Sequence, residues 1–401
     1  MTVRGLYLSL ALFGYIFVTS LTSIFLGNTT EDATSIYVLF YRALIFICSL
    51  LFVFRLIFFE KHIPSKVAKY ISLVLLVWCL FYLRLLWDIT YGTPLLDSSV
   101  YSIYLTFGLG VVLLIMLSVI NISKKDMISF IDFSRWILFF SIVFISISAF
   151  NSLYLGENSL TRFGLDKLNP ISLGKAAGAC AIISMFVLSY KKITKINYFC
   201  TLVALVVSVL ILFLSGSRGA LLSFIIVCCI ALLKKFSLTR VVFGSGILVF
   251  VVFSVNAIMS MLWSDFSLVE RISKTGGDED QSANIRYQLY NNSLEQFYNS
   301  PLFGDYSVER EYMFYPHNVI LELLMSIGVF GAIIFVFIVA YSVFCNIKND
   351  FDNKSLLSVL WGLLTFYLVI SMFSGSLFLS VELWVFLIIS VSFRFNVNTC
   401  K

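Results

Sequence analysis

Charge is what this chain has least of. Asp, Glu, Lys and Arg together make up 12% of its 401 residues, and 60% are hydrophobic. A soluble globular domain carries about 25% charged residues, so an ordinary water-soluble fold is excluded. There is no CxxC pair, and no cysteine stands beside a histidine at zinc-ligand spacing, which removes zinc modules and redox dithiols. The cysteines (Cys48, Cys79, Cys180, Cys200, Cys228, Cys229, Cys345 and Cys400) read as small apolar residues within or beside helices. No ten-residue segments alternate polar and apolar side chains, which argues against a β-barrel. No repeat, low-complexity tract or linker divides the sequence, so residues 1–401 are expected to form a single integral membrane domain. The net charge of +6 lies in the connections between apolar runs. It gives no argument for nucleic acid, and no nucleic-acid partner is expected.

What the chain does have is repeated apolar runs of about 20 residues, the length that crosses a bilayer as a helix. The expectation is an all-α polytopic membrane protein with about twelve spans: 5–26, 36–59, 68–87, 100–120, 134–155, 171–190, 198–214, 218–234, 240–262, 317–345, 355–373 and 376–393. Residues 1–26 read as an uncleaved first span, because the apolar run is too long for a signal peptide and no small-residue cleavage site follows. Lys and Arg favour cytoplasmic loops. With the N-terminus in the cytoplasm, every cytoplasmic segment is basic, among them Lys61, Lys66 and Lys69, Lys124 and Lys125, and Lys191, Lys192 and Lys195. The first two outer loops then carry only acidic charge, from Glu31, Asp32, Asp88 and Asp97. Both termini are therefore expected in the cytoplasm.

This orientation puts the longest polar segment, 263–316, on the outer (periplasmic) side between the ninth and tenth spans. Within it, Asp278-Glu279-Asp280 beside Gly276-Gly277 reads as a solvated turn. From Ala283 to Asn299, Ile285, Leu289 and Phe297 recur near helical spacing and predict an amphipathic helix that Pro301 and Gly304 stop. The charges inside spans (Arg42, Arg84, Lys175, Glu322 and Glu382) fall in the outer halves of their helices. They mark either snorkelling and structural ion pairs or a polar cavity open to the outer leaflet.

Three outer positions carry candidate chemistry. Ser217-Arg218-Gly219 opens the eighth span. A helix start offers unpaired N–H groups and partial positive charge; an arginine there adds a planar fork that fits phosphate oxygens. The site suits a lipid phosphate, unless the arginine of a tight hairpin merely meets bulk headgroups. Arg286 is a phosphate ligand of the same kind or a solvated charge on the amphipathic helix. His317 follows Pro316 and opens a span, at the boundary of water and apolar surroundings. There an imidazole can serve as a general base, or as a structural donor or cap.

The order of these segments resembles a known family. Ser217-Arg218-Gly219-Ala220-Leu221-Leu222, Arg286 leading into Phe297-Tyr298-Asn299-Ser300-Pro301-Leu302-Phe303-Gly304, and His317-Asn318 followed by Gly328-Val329-Phe330-Gly331 look like the O-antigen ligase and polymerase family of bacterial surface polysaccharide assembly. One departure is Asp305, where many members have a second glycine.

The resemblance implies a GT-C-like membrane glycosyltransferase, inverting, without a nucleotide-sugar site. Its donor is an undecaprenyl-diphosphate-linked oligosaccharide in the outer leaflet. It implies catalytic roles for Arg218, Arg286 and His317, and substrate-binding roles for Arg162, Ser217 and Asn318. No cofactor is expected, and metal-independent chemistry is expected from the lack of recognisably spaced outer carboxylates. Partners would be membrane lipid and, in the same pathway, a chain-length regulator and a flippase. Asn169-Pro170 after Arg162-Phe163-Gly164 looks polymerase-like, favouring transfer of the growing chain to the next lipid-linked repeat unit in lipopolysaccharide biosynthesis. A ligase that moves the polymer to lipid A–core is the alternative within the family; a non-enzymatic flippase of the same lipid is the alternative outside it.

The orientation is directly testable. In a cysteine-free background, a cysteine at Ser282 should react with an impermeant thiol reagent from outside the cytoplasmic membrane, and one at Asn197 should not. The reverse labelling would overturn the topology.

Overall fold

A computed structural model describes residues 2–26, 31–59, 63–92, 99–154, 170–190, 194–233, 281–348 and 356–398. Among these residues all the regular structure is helical, with no strand. The elements are α1 (Val3–Leu26), α2 (Glu31–Phe58), α3 (Ser65–Tyr91), α4 (Ser99–Ile103), a π-helical segment (Tyr104–Val112), α5 (Leu113–Ser118), α6 (Lys124–Tyr154), α7 (Pro170–Tyr190), α8 (Lys195–Leu214), α9 (Arg218–Leu233), α10 (Gln281–Asn299), α11 (Val319–Lys348), α12 (Leu356–Ile370) and α13 (Val381–Asn398). Eight described helices are long and apolar enough to cross a membrane, and α9 and α12 contain shorter apolar helices. The chain is a multi-pass membrane protein. The expected ninth span, 240–262, Arg162, and the acidic turn at 278–280 lie outside the described residues.

The chain divides into two compact units that interleave in sequence. The first comprises Met1–Leu44, Lys125–Thr275 and Phe351–Phe366; the second comprises Ile45–Lys124, Gly276–Asp350 and Tyr367–Lys401. In the first unit, α7 packs against α1, α8 and α9. Its sequence explains why. Apart from Lys175, Gly174-Lys175-Ala176-Ala177-Gly178-Ala179-Cys180-Ala181 consists of small residues, which let helices approach closely in an apolar medium. Gly178 faces the ring of Phe366, where a Cβ would come within 2.4 Å of it. Gly174 faces the turn between α8 and α9, where a Cβ would lie 2.7 Å from that of Ser217.

In the second unit, α3, α11 and α13 pack on one another and α10 lies against α11. The face that α10 buries differs from the one its apolar spacing suggests. Leu289 is buried, but Ile285 is exposed, and the rest of the buried stripe is Ser293 and Gln296. Polar residues line it because they serve the following loop. Gln296 donates to the Val308 carbonyl (3.3 Å) and accepts from the Arg310 N–H (3.0 Å).

The continuity of α11 is interrupted at Gly328, whose φ of 66° and ψ of −167° are not helical. A break frees backbone groups that the apolar interior cannot hydrate. The segment 301–305 satisfies them. Asp305 N–H donates to the Met325 carbonyl (2.8 Å) and Val329 N–H to the Pro301 carbonyl (2.9 Å). Arg84 of α3 donates to the carbonyls of Ser326 and Gly304. The two glycine-containing motifs therefore dock on each other. A Cβ on Gly304 would sit 2.4 Å from the Ser326 carbonyl carbon, and one on Gly328 would sit 2.3 Å from the Leu302 oxygen. Asp305 does not occupy the left-handed region, so a second glycine is not required there. Its carboxylate instead pairs with Arg310 at 2.7 Å.

Gly328→Ala should accordingly be costly, through left-handed strain of about 1–3 kcal/mol plus the clash. A Cβ added at Gly110 would meet nothing within 4 Å, so Gly110→Ala should be tolerated. Thermal unfolding of the two purified variants in one detergent checks this. Equal melting temperatures would refute the docking of 301–305 on the break.

Candidate functional site

The loop that carries His317 organises the site. After α10 ends at Asn299, residues 300–318 return to α11 without regular structure. Polar groups fix this loop rather than an apolar core. Glu309 is buried, and its carboxylate accepts from the N–H groups of Glu311 (2.8 Å) and Tyr312 (2.7 Å) and from the Asn292 amide (3.0 Å). A buried carboxylate is tolerable only when so satisfied. At the other side, Asp88 of α3, also buried, accepts from the backbone and hydroxyl of Ser307 at 2.7 and 2.6 Å. Arg310 lies 4.0 Å over the Tyr306 ring.

The loop ends in a strained corner. His317 has a φ of 57°, in the left-handed region that non-glycine residues seldom occupy. Its ring stands edge-on to Tyr315 (4.9 Å between centroids) and near Phe314 (5.4 Å). Burial first, and then the negative charge of Glu322, push the Tyr315 phenol up to about 12, so it stays neutral beside the imidazole. The Nδ1 of His317 accepts a hydrogen bond from the N–H of Gly375 (3.3 Å). Asn318 caps α11: its side-chain oxygen accepts from the N–H groups of Ile320 (3.0 Å) and Leu321 (3.2 Å).

Arg286 reaches the same neighbourhood through α10. One turn on, the Tyr290 phenol is pushed up by burial and pulled down by the Arg286 charge and a hydrogen bond with Asn318. In the second unit Arg286 and Asn318 thus both act on Tyr290, and His317 precedes Asn318 in the chain, a polar line from α10 to the start of α11. Tyr290 is not singled out by the sequence reading; its i+4 spacing from Arg286 is the signal that could have found it. Gly375 is missed as well, because nothing in a glycine between two apolar runs announces a partner for an imidazole.

Arg218 stands in the first unit, exposed, as the first residue of α9. The turn before it is tight. Gly216 has a φ of 60°, and the Ser215 hydroxyl donates to the Leu212 carbonyl (2.8 Å) while accepting from the Ser217 N–H (3.3 Å). Ser217 is buried against α7, so in this unit it shapes the hairpin that presents Arg218. Some of the intramembrane charges also find structural partners. Arg84 lies 4.0 Å from Asp88, and Arg42 lies 5.7 Å from the centre of the Tyr15 ring.

Comparison with known proteins reaches two of the three motifs. No curated protein and no solved structure matches the chain. The family model described as O-antigen ligase matches residues 203–305, the stretch that contains both Arg218 and Arg286. That stretch of the chain is similar to the O-antigen ligase family, and the match stops short of His317.

Proposed function

We propose that the protein is an O-antigen polymerase. In this reading it transfers a growing glycan from undecaprenyl diphosphate to a sugar hydroxyl of the next lipid-linked repeat unit, at the periplasmic face of the inner membrane. The observation that carries the reading is the polar line from Arg286 to His317, built on a loop whose carboxylates and carbonyls are occupied in holding it still. Catalytic groups must be fixed before substrate arrives, and this loop is fixed.

The reaction forms a bond from the acceptor oxygen to the anomeric carbon and breaks the bond from that carbon to the diphosphate oxygen. The diphosphate leaves with the electron pair, and the hydroxyl proton goes to His317 where it is the base and otherwise to the departing diphosphate or to water. Positive charge at that oxygen lowers the barrier, and Arg218 and Arg286 are the groups proposed to supply it. His317 is the group proposed to act on the acceptor hydroxyl. Arg162, Ser217 and Asn318 remain proposed substrate contacts, Ser217 and Asn318 through the hairpin and cap that they shape. The ligase alternative uses the same groups and differs only in its acceptor.

The variants separate these roles. Arg218→Ala and Arg286→Ala should nearly abolish polymer while the protein accumulates in the membrane; lysine keeps the charge without the fork and should rescue in part. His317→Ala should lose about 100- to 10,000-fold in single-turnover transfer if the imidazole is a base, yet still bind the lipid-linked donor. His317→Gln should recover part of the loss if the residue orients the acceptor, and none if it takes the proton. Full turnover in His317→Ala would remove the residue from the mechanism, and loss of activity with chelator would refute metal-free chemistry. A deletion strain decides the acceptor on a lipopolysaccharide gel. Core bearing one repeat unit identifies a polymerase, bare core with lipid-linked polymer a ligase, and bare core with unpolymerised units retained inside a flippase.

A further inference from the structure

Glu322 lies just over one turn into α11 from His317, and its N–H donates to the Asn318 carbonyl (2.9 Å). Its carboxyl is fully buried. It accepts from the Tyr104 hydroxyl (2.8 Å), the Ser376 hydroxyl (2.5 Å) and the Leu377 N–H (2.6 Å). Two of those donors belong to one short segment, residues 371–380, between α12 and α13. The same segment supplies the Gly375 N–H that reaches His317 Nδ1, and its Ser371 carbonyl accepts from the Val319 N–H (3.2 Å). Gly375 has a φ of 90°, so the N–H is aimed by a backbone turn open chiefly to glycine. Trp384 donates to the Leu377 carbonyl (2.8 Å) and closes the segment from α13.

A leucine would pack this position without the cost of burying a carboxyl group. What the carboxylate adds is the conformation of 371–380. An imidazole nitrogen that accepts from a backbone N–H carries no proton itself, so in the neutral ring the proton is on the other nitrogen. We propose that Glu322 is a positioning residue: by gripping Ser376 and Leu377 it holds the Gly375 N–H against His317 Nδ1, which fixes the neutral ring with its proton on Nε2. His317 then meets substrate as a hydrogen-bond donor to oxygen and not as a proton acceptor. This rests on His317 being the residue that faces the acceptor.

The chain has two histidines, so His62→Gln leaves His317 as the sole imidazole. The protein with ring-15N histidine, purified in detergent at a pH where the ring is neutral, should show signals of a protonated Nε2. In Glu322→Gln the amide cannot accept as both carboxylate oxygens do, so the signals should move towards a mixture of tautomers. With that shift, kcat should fall by up to about 100-fold, the scale of a small misplacement, with donor KM nearly unchanged. Glu322→Asp should restore part of both. Ser342→Ala removes an unrelated buried bond to the Leu387 carbonyl and should change neither. Wild-type 15N signals in Glu322→Gln would overturn the proposal, as would a parallel loss of kcat in Ser342→Ala that tracks melting temperature. If Glu322→Gln does not accumulate, Ser376→Ala decides: a partial shift of the signals supports the proposal and unchanged signals overturn it. The spectra need no turnover, so they stand even where activity of His317→Ala refutes the broader reading.

Discussion

A helix that breaks inside an apolar medium must find partners for the backbone groups it frees, and α11 breaks at Gly328. Water is not available to a buried break, so another part of the chain has to come to it. The segment 301–305 does, and that requirement fixes the return path of the outer loop. From Gly304 the chain continues beside α3, where Asp88 takes Ser307 and Arg84 takes the Gly304 and Ser326 carbonyls. His317 opens α11 at the end of that path. The position of the imidazole is thus set by a backbone constraint lying about three turns along the same helix.

Polar interactions, not apolar burial, then give the loop its shape. Glu309, Gln296 and Asp88 are nearly inaccessible, and each bonds backbone or hydroxyl groups of residues 307–312, Glu309 also taking the Asn292 amide. Such a network specifies one geometry because each unsatisfied member would cost about 1–3 kcal/mol. The π-helical segment belongs to the same scheme. Tyr82 donates to the Tyr104 carbonyl (2.7 Å), and Gly108 leaves room for the Tyr82 hydroxyl, while the Tyr104 hydroxyl goes to Glu322. Wider helical turns of this kind are frequent at functional sites.

Much of this was legible in the sequence, and the limits have physical causes. The apolar runs located the described spans because span length is set by bilayer thickness; Pro170, Arg218 and the end at Asn299 fell within a few residues of expectation. The SRG turn and the His-Asn opening of α11 were legible because helix starts have chemical signatures. Asn318 was read as a substrate contact, and its oxygen also serves as the cap. What could not be read was pairing. Nothing in Gly304 or Gly328 alone says that each is the other's cavity. Glu322 read as a charge towards the outer side, with no hint that its donors lie on α4's continuation and beyond α12. The polar stripe of α10 was also hidden, since Ser293 and Gln296 look like a solvent face until the loop above them is known.

The backbone of His317 bears on why a histidine stands there at all. A φ of 57° is adopted most easily by glycine, and among other residues by Asn, Asp and His. If the corner needed only its conformation, glycine would adopt it without strain. The histidine instead puts an imidazole beside the paired Phe314 and Tyr315 rings, with the Gly375 N–H on its Nδ1. Each of those contacts uses one side or one nitrogen of the ring. Together they hold its plane, which a cap or a turn does not require. Strain tolerated for the sake of a fixed ring is the pattern expected of a group that acts on substrate. The neighbouring Asn318 meets the structural need of the helix start separately, by capping it.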